Sequence, residues 1–234
     1  MNKGNKITIL AIITARKNSK RLKNKNKILL KKKKLIEHTF LAATKSKQFD
    51  GILLTTDDKD LIKLSRKYNI LAPWVRPKLL STDSTPSYKA VIHAYNWFEK
   101  EVNKVDGIFV LQPTSPFRKI NTIKNMIKIF KKNQKQSVIS VSKSDEHPEW
   151  MIKIKNNKMM PYLSKEFNST KRSQSLRKLY KLNGIGYLLS PSILKKEKTL
   201  TPKNSIPYIV SSKIESLDID DKEDYIVAKK FAKI

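Results

Sequence analysis

Residues 7–15, ITILAIITA, run for nine positions without a charge and are rich in β-branched side chains. A run of that length with no polar alternation reads as a strand buried on both faces, and such strands belong to parallel sheets covered by helices. Two more runs of the type follow, GILLTTD at 51–57 and GIFVLQ at 107–112, each turning polar at its C-terminal end, and SVISVS at 137–142 is a fourth. Between them, residues 35–46, 58–68, 85–101 and 120–132 read as helices, and Leu61, Ile62, Leu64 and Ser65 mark one face of the second. Strand and helix therefore alternate. The expected fold is α/β: a Rossmann-like, mostly parallel sheet with right-handed crossovers, helices on both faces, and ligand sites at the carboxyl ends of the strands.

The rhythm breaks after residue 143. Residues 144–182 are polar and lysine-rich, with short apolar pieces such as WMIKI, and read as an excursion from a core formed by 1–143 and 183–234. A chain of 234 residues fits one such domain, since cores split only beyond roughly 250 residues. After the excursion come strand-like pieces, YLLS at 187–190 and IPYIVSS at 206–212. The closing segment, IESLDIDDKEDYIVAKKFAKI, reads as a strand passing into an amphipathic helix with Asp221 as its N-cap.

Charge sets the next limits. The formal net charge is +30, and only seven of the fifty basic residues are Arg. Such a balance ordinarily suggests nucleic acid or an anionic surface, and a basic nucleic-acid-binding protein is the competing reading. The lysines are spread along the whole chain, few aromatics are interleaved with them, and Arg, the better base reader, is scarce. No specific nucleic-acid partner is expected, although a polyanionic substrate would be steered well. No run approaches the roughly 18 apolar residues of a membrane span, and no small-residue cleavage pattern follows the N-terminal run, so no membrane partner and a cytoplasmic location are expected. The absence of Cys excludes a disulfide framework, thiolate zinc and a Cys nucleophile. His38, His93 and His147 have no ligand spacing.

The loop from Ala15 to Asn26 leaves the first strand with six cations in twelve positions. It contains neither a Walker A pattern nor the dinucleotide fingerprint. Its place at a strand's carboxyl end suits a triphosphate, which ammonium and guanidinium groups and backbone N–H donors can wrap. The run IITARKNSKRLKNKN at 12–26 resembles the signature of the CMP-sialic acid synthetases, the N-acylneuraminate cytidylyltransferases. Arg76 to Ser87 (RPKLLSTDSTPS), Leu111 to Arg118 (LQPTSPFR), Asn183 to Tyr187 (NGIGY) and Asp218-Ile219-Asp220 follow in the family's order.

The resemblance implies that the anomeric hydroxyl of a nine-carbon keto sugar acid, a nonulosonic acid, attacks the α-phosphate of CTP and that pyrophosphate leaves. By motif match Arg16, Lys20 and Lys25 would contact the phosphates, and Asn26 the ribose or an adjacent phosphate. Ser87 would read the cytosine edge, although a Ser ahead of YKAVIHAYNWF also suits a helix cap. Gln112, Thr114 and Ser115 would face the sugar acid; Arg118 would bind its carboxylate or cap the helix that follows. Arg76, Asn183 and Tyr187 are carried as further substrate-binding positions. Asp218 and Asp220 alternate with Ile219, so an extended backbone turns both carboxylates to one side, as ligands for Mg²⁺ or another divalent cation such as Mn²⁺. Asp57 and Asp58 read as capping residues, and Asp83 as ordering its own turn.

Departures fall on the sugar side. Where the family often has an R-R-Q-like run, this chain reads Lys171-Arg172-Ser173-Gln174, and Lys181 stands where Arg is frequent. Arg172 and Lys181 remain the expected sugar contacts, and sialic, legionaminic and pseudaminic acids are all open. A 3-deoxy-manno-octulosonate enzyme fits LQPTSP less well. In the family the excursion reaches across to a partner and completes its sugar site, so a homodimer is expected, burying Trp150, Met151, Ile152, Ile154, Met159, Met160, Tyr162 and Leu163. The chain ends soon after the last motif, and no appended hydrolase domain is expected.

Overall fold

A computed structural model of the protein describes residues 7–163 and 176–232. The first apolar run becomes β1 (Ile9–Ala15), buried over almost its whole length. Successive side chains of a strand point to opposite faces, and that alternation divides the core in two. Ile9, Ala11, Ile13 and Ala15 pack with Ile36, Phe40, Leu61, Ile123, Met126 and Phe130 on one face. Leu10 and Ile12 pack with Val91, Ala94, Phe98 and Leu194 on the other. A strand that feeds two cores has no position for a polar residue, which is why its sequence shows no alternation.

A basic loop with one 3₁₀ turn (Lys25–Lys27) follows, then a short hairpin, β2 (Leu29–Leu30) and β3 (Lys33–Lys34), and α1 (Leu35–Ser46). The chain continues through β4 (Gly51–Thr56), α2 (Lys59–Ser65), α3 (Ser87–Glu101), β5 (Gly107–Leu111), α4 (Ile120–Lys132) and β6 (Val138–Lys143). A second hairpin, β7 (Ile152–Lys155) and β8 (Lys158–Pro161), precedes β9 (Tyr180–Leu189), α5 (Pro191–Glu197), β10 (Ile206–Ile209) and α6 (Lys222–Phe231). The main sheet has the order β10-β6-β9-β5-β1-β4. β1 is parallel to β4 and β5, β10 is parallel to β6, and β9 runs antiparallel between β5 and β6. The sheet is thus mostly parallel, with α1, α2 and α4 on one face and α3 and α5 on the other.

Three features differ from the expectation. β9 begins at Tyr180, inside the segment read as excursion, because its first residues pair with β6 through Leu182↔Val141 and Lys181↔Ser142. It also runs against its neighbours, which local periodicity does not encode. Residues 214–220 form no strand: they are turn and irregular backbone, pinned by Ile219. Ile219 is fully buried in a third cluster with Leu30, Leu35, Ala228 and Leu22, and its N–H donates to the Thr114 carbonyl at 2.8 Å. That anchor joins the basic loop, the end of β5 and the C-terminal segment. Asp221 caps α6 as expected, accepting from the Asp224 N–H within a capping box.

Candidate active site

The carboxyl ends of β1 and β5 open onto one cleft of about 430 Å³. Thr14, Ala15 and Arg16 come from the first strand end, Gln112 and Thr114 from the second, Arg76 and the turn 80–87 from one wall, and Asp218 and Asp220 from the other. Four sequence-distant motifs therefore share one surface. They meet because a parallel sheet delivers every strand-end loop to the same edge.

The basic loop is held from within. Asn26 is buried and its Nδ2 donates to the Arg16 carbonyl at 3.1 Å, so it fixes the loop and does not face the cleft as expected for a ribose contact. The Lys17 N–H donates to Asp57 Oδ1 at 2.8 Å, and Lys27 pairs with Asp58 at 2.9 Å while Asp58 caps α2. Four of the loop's cations meet carboxylates. Arg16 and Lys20 both pair with Asp83, the latter at 2.7 Å, and together they hold its carboxyl below the ordinary carboxylate range, Lys20 foremost. Lys25 and Arg21 pair with Asp220 at 2.8 and 2.7 Å. Lys25 is the better sheltered cation, its side chain 13% exposed against 78% for Lys20.

Asp218 and Asp220 titrate in opposite directions. Burial pushes the Asp218 carboxyl up, against the Thr114 hydroxyl and with help from the Asp220 charge, and Oδ1 is buried with no hydrogen-bond partner among the described residues. Asp220 is also raised by burial, but Lys25 and Arg21 outweigh that and hold it below its ordinary value. Beneath them lies Gly184, which the NGIGY match contains but the candidate residues omit. Its φ is +71°, and an added Cβ would lie 2.6 Å from Gln112 Oε1 and 3.2 Å from Ser115 Oγ. The left-handed φ favours Gly there and a Cβ would push Gln112 aside, and the motif carried that signal.

Other expected contacts turn inward. Arg118 is 5% exposed; its Nε donates to the Ile185 carbonyl at 2.6 Å, Nη1 to Thr39 Oγ1 at 3.0 Å and Nη2 to the Gln112 carbonyl at 2.7 Å. Burial brings its pKa down to about 10 against the pull of Asp218 and Glu215. With those donors engaged it positions Gln112 and the Gly184 turn, which corrects its assignment to the sugar carboxylate. Ser115 is fully buried and donates to the Asn183 carbonyl at 3.4 Å; Asn183 accepts from Ser140 Oγ at 2.7 Å. Tyr187 packs in the core with Ile139 and Leu194, its hydroxyl pushed up to about 12 by burial and by Asp218. These three support the site from below. Lys181 lies exposed on β9, away from the residues lining the cleft, and Arg172 falls outside the described residues. Arg76 stays on the cleft wall, 5% exposed, with Nε donating to Ser81 Oγ at 3.0 Å. Ser87 is the first residue of α3, lines the cleft, and the helix makes no side-chain cap bond there, so the capping reading fails.

The family model described as Cytidylyltransferase matches residues 10–215. The chain belongs to the cytidylyltransferase family. This cytidylyltransferase is 35% identical over 228 residues to the CMP-N,N'-diacetyllegionaminic acid synthase of Legionella pneumophila, covering 97% of each chain. It is 31% identical to a pseudaminic acid cytidylyltransferase of Campylobacter jejuni, covering 96% of each. Against the N-acylneuraminate cytidylyltransferase of Escherichia coli it is 30% identical over 94% of its own length but spans only 51% of that enzyme. Two solved structures share the cytidylyltransferase's fold at low identity. A CMP:2-keto-3-deoxy-manno-octonic acid synthetase complexed with CTP aligns with a TM-score of 0.71 at 13% identity, over 97% of this chain and 98% of that one. A 4-diphosphocytidyl-2C-methyl-D-erythritol synthase from Anaerococcus prevotii aligns with a TM-score of 0.64 at 16% identity, over 97% and 99%.

Proposed function

We propose that this cytidylyltransferase transfers CMP from CTP to the anomeric hydroxyl of a nonulosonic acid, a sialic acid or its legionaminic or pseudaminic relatives, with release of pyrophosphate. One observation carries the reading: Arg16, a hydroxyl-rich turn, a side-chain amide and a pair of carboxylates line a single cleft at the carboxyl edge of the sheet, and Lys20 and Lys25 of the basic loop pair with its carboxylates Asp83 and Asp220. Each suits one part of the reaction. Arg16, Lys20 and Lys25 neutralise the phosphates and hold the leaving pyrophosphate. Ser87 offers a hydroxyl at the cleft to the base edge, where donors and acceptors, not charge, distinguish cytosine. Gln112, held by Arg118, offers both donor and acceptor to the sugar acid.

The residues present also fit a divalent cation. Asp218 Oδ1 is buried without a hydrogen-bond partner among the described residues, and Asp220 stands beside it on the cleft. The two would hold Mg²⁺ or Mn²⁺, which when bound would screen phosphate charge. Among the described residues no group of three or more His, Asp or Glu is placed to hold a metal, so substrate oxygens and water would complete the shell. We also read the β7–β8 hairpin as a homodimer contact. Ile154, Met159, Tyr162 and Leu163 are 75, 67, 51 and 62% exposed, an apolar surface that a second copy would cover. No helix among the described residues is long and apolar enough to cross a membrane, and a cytoplasmic site of action, where CTP is made, completes the reading.

The test is pyrophosphate release with CTP, UTP, ATP and GTP against N,N'-diacetyllegionaminic, N-acetylneuraminic, pseudaminic and 3-deoxy-manno-octulosonic acids. The expected result is release with CTP well above UTP, and with a nonulosonic acid above the octulosonic one. Equal release with all four nucleotides, or none with any acid, overturns the proposal.

A further inference from the structure

Asp83 is the one carboxylate of the cleft that neither the metal reading nor the turn around it uses. That turn is ordered by hydroxyls: Thr82 Oγ1 bonds Thr85 Oγ1 at 2.6 Å, and Thr85 Oγ1 donates to the Leu79 carbonyl at 2.7 Å. Asp83 does not contribute, contrary to the expectation from the sequence. Among the described residues its partners are Arg16 and Lys20, which reach it across the cleft from a loop 67 and 63 positions away. Its side chain is 41% exposed.

We propose that Asp83 is a resident counter-anion of the phosphate cradle: its carboxylate holds Arg16 and Lys20 until a polyphosphate displaces it, and recaptures them as pyrophosphate departs. This rests on the reading of the cleft as a triphosphate site. Arg16, Lys17, Lys20 and Arg21 lie within six residues of a chain of net charge +30, so without a nearby anion their mutual repulsion would spread them. A carboxylate with one charge orders them at the cleft yet loses to a ligand with several charges, whereas monovalent anions compete poorly. The same exchange lowers the affinity for pyrophosphate and so favours product release. The opposite possibility, that Asp83 positions Arg16 for the ligand, predicts the reverse sign on removal of the charge.

Exposed pairs are individually weak, so breaking two corresponds to a roughly three- to thirty-fold change in binding. Inorganic tripolyphosphate and pyrophosphate, titrated calorimetrically at fixed ionic strength, are expected to bind Asp83→Asn tighter than the wild-type protein by that factor. The gain should shrink when Lys20→Ala is already present, since one of the freed cations is gone. Asp83→Ser, which also removes the charge, is read in the same way should the Asn variant melt early. Unchanged or weaker binding in both variants overturns the proposal. A CTP titration separates the two readings: tighter tripolyphosphate binding with no CTP binding removes the nucleotide assignment and leaves the counter-anion. CTP-dependent pyrophosphate release by the wild-type protein, with no gain in either variant, removes the counter-anion alone.

Discussion

The sheet has a second cleft of about 410 Å³ at its other edge, lined by Tyr95, Glu99, Asp106, Lys135, Ser190 and Lys195 among others. It nearly equals the first in size and is as rich in charge, yet its acids are bonded into the scaffold. Asp106 accepts from the Thr8 N–H at 2.9 Å, from the Thr8 hydroxyl at 3.2 Å and from Lys135 at 2.6 Å. Glu99 accepts from the Tyr95 hydroxyl at 2.9 Å and from Lys195 at 3.1 Å, with Lys195 lying 4.9 Å over the Tyr95 ring. At the carboxyl edge, by contrast, Asp83 meets among the described residues only the side-chain cations Arg16 and Lys20, and Asp218 keeps a buried oxygen without a hydrogen-bond partner there. Size does not mark a site. What marks it is charge that a ligand can take over, since groups already bonded to the backbone and to neutral hydroxyls have nothing to exchange.

Changing carboxylate to amide in each cleft puts that contrast to the test. Asp218→Asn should reduce turnover roughly 100- to 1000-fold, the scale for losing one preorganised electrostatic contact to the reacting groups. Because burial already disfavours its charge, the melting temperature should hold or rise. Steady-state rates beside a thermal scan check this, and early melting with full specific activity would make Asp218 a structural residue after all.

Lys25→Ala comes next. Its ammonium is sheltered and aimed at the cleft through Asp220, whereas Lys20 is mostly exposed, so kcat/KM should fall by about 2 to 4 kcal/mol for Lys25 and by less for Lys20. Lys128→Ala, on the exposed face of α4, should be neutral. Equal losses at all three would mean that background charge, not the loop, attracts the nucleotide. Gly184→Ala should cost about 1 to 2 kcal/mol of stability from its left-handed backbone and should also raise the KM for the sugar acid, because the new methyl displaces Gln112. A normal KM would separate Gly184 from the site.

These outcomes bear on what the sequence alone could disclose. The apolar runs gave β1, β4, β5 and β6 within two residues, because a strand buried on both faces leaves its mark in composition. Motif order brought Arg16, Ser87, Gln112 and Asp218 to one strand edge, since parallel topology leaves their loops nowhere else to go. The direction of a side chain was not legible in the same way. Asn26 and Arg118 stand in matched motifs beside residues that line the cleft, yet each spends donors on acceptors brought within reach only by the folded structure: the Arg16 carbonyl for Asn26, and the Ile185 and Gln112 carbonyls and the Thr39 hydroxyl for Arg118. Of β9 only the piece at 187–190 was legible, for a related reason: its length and its reversed course between β5 and β6 are fixed by partners distant in sequence, not by its own period.

The smallest effect belongs to the opposite edge, and its sign can be worked out. Burial pushes the Asp106 carboxyl up, but Lys135 and the two Thr8 donors outweigh it and hold the group below its ordinary value. A carboxyl depressed in the folded state contributes stability above the unfolded pKa of about 3.9, and loses it as pH falls through the folded value. Asp106→Asn should therefore lower stability at pH 7 by no more than about 1 kcal/mol, since the pair is partly exposed. Wild type and variant should converge in melting temperature only as pH falls from the unfolded value down through the lower folded one, where the wild-type carboxylate becomes neutral too. Turnover at pH 7 should be unchanged, as nothing in that cleft meets the phosphates or the sugar. Melting curves from pH 7 down into the acid range read the first part and steady-state kinetics the second; a variant whose stability offset does not shrink on acidification, or that loses turnover, would erase the distinction between the two edges.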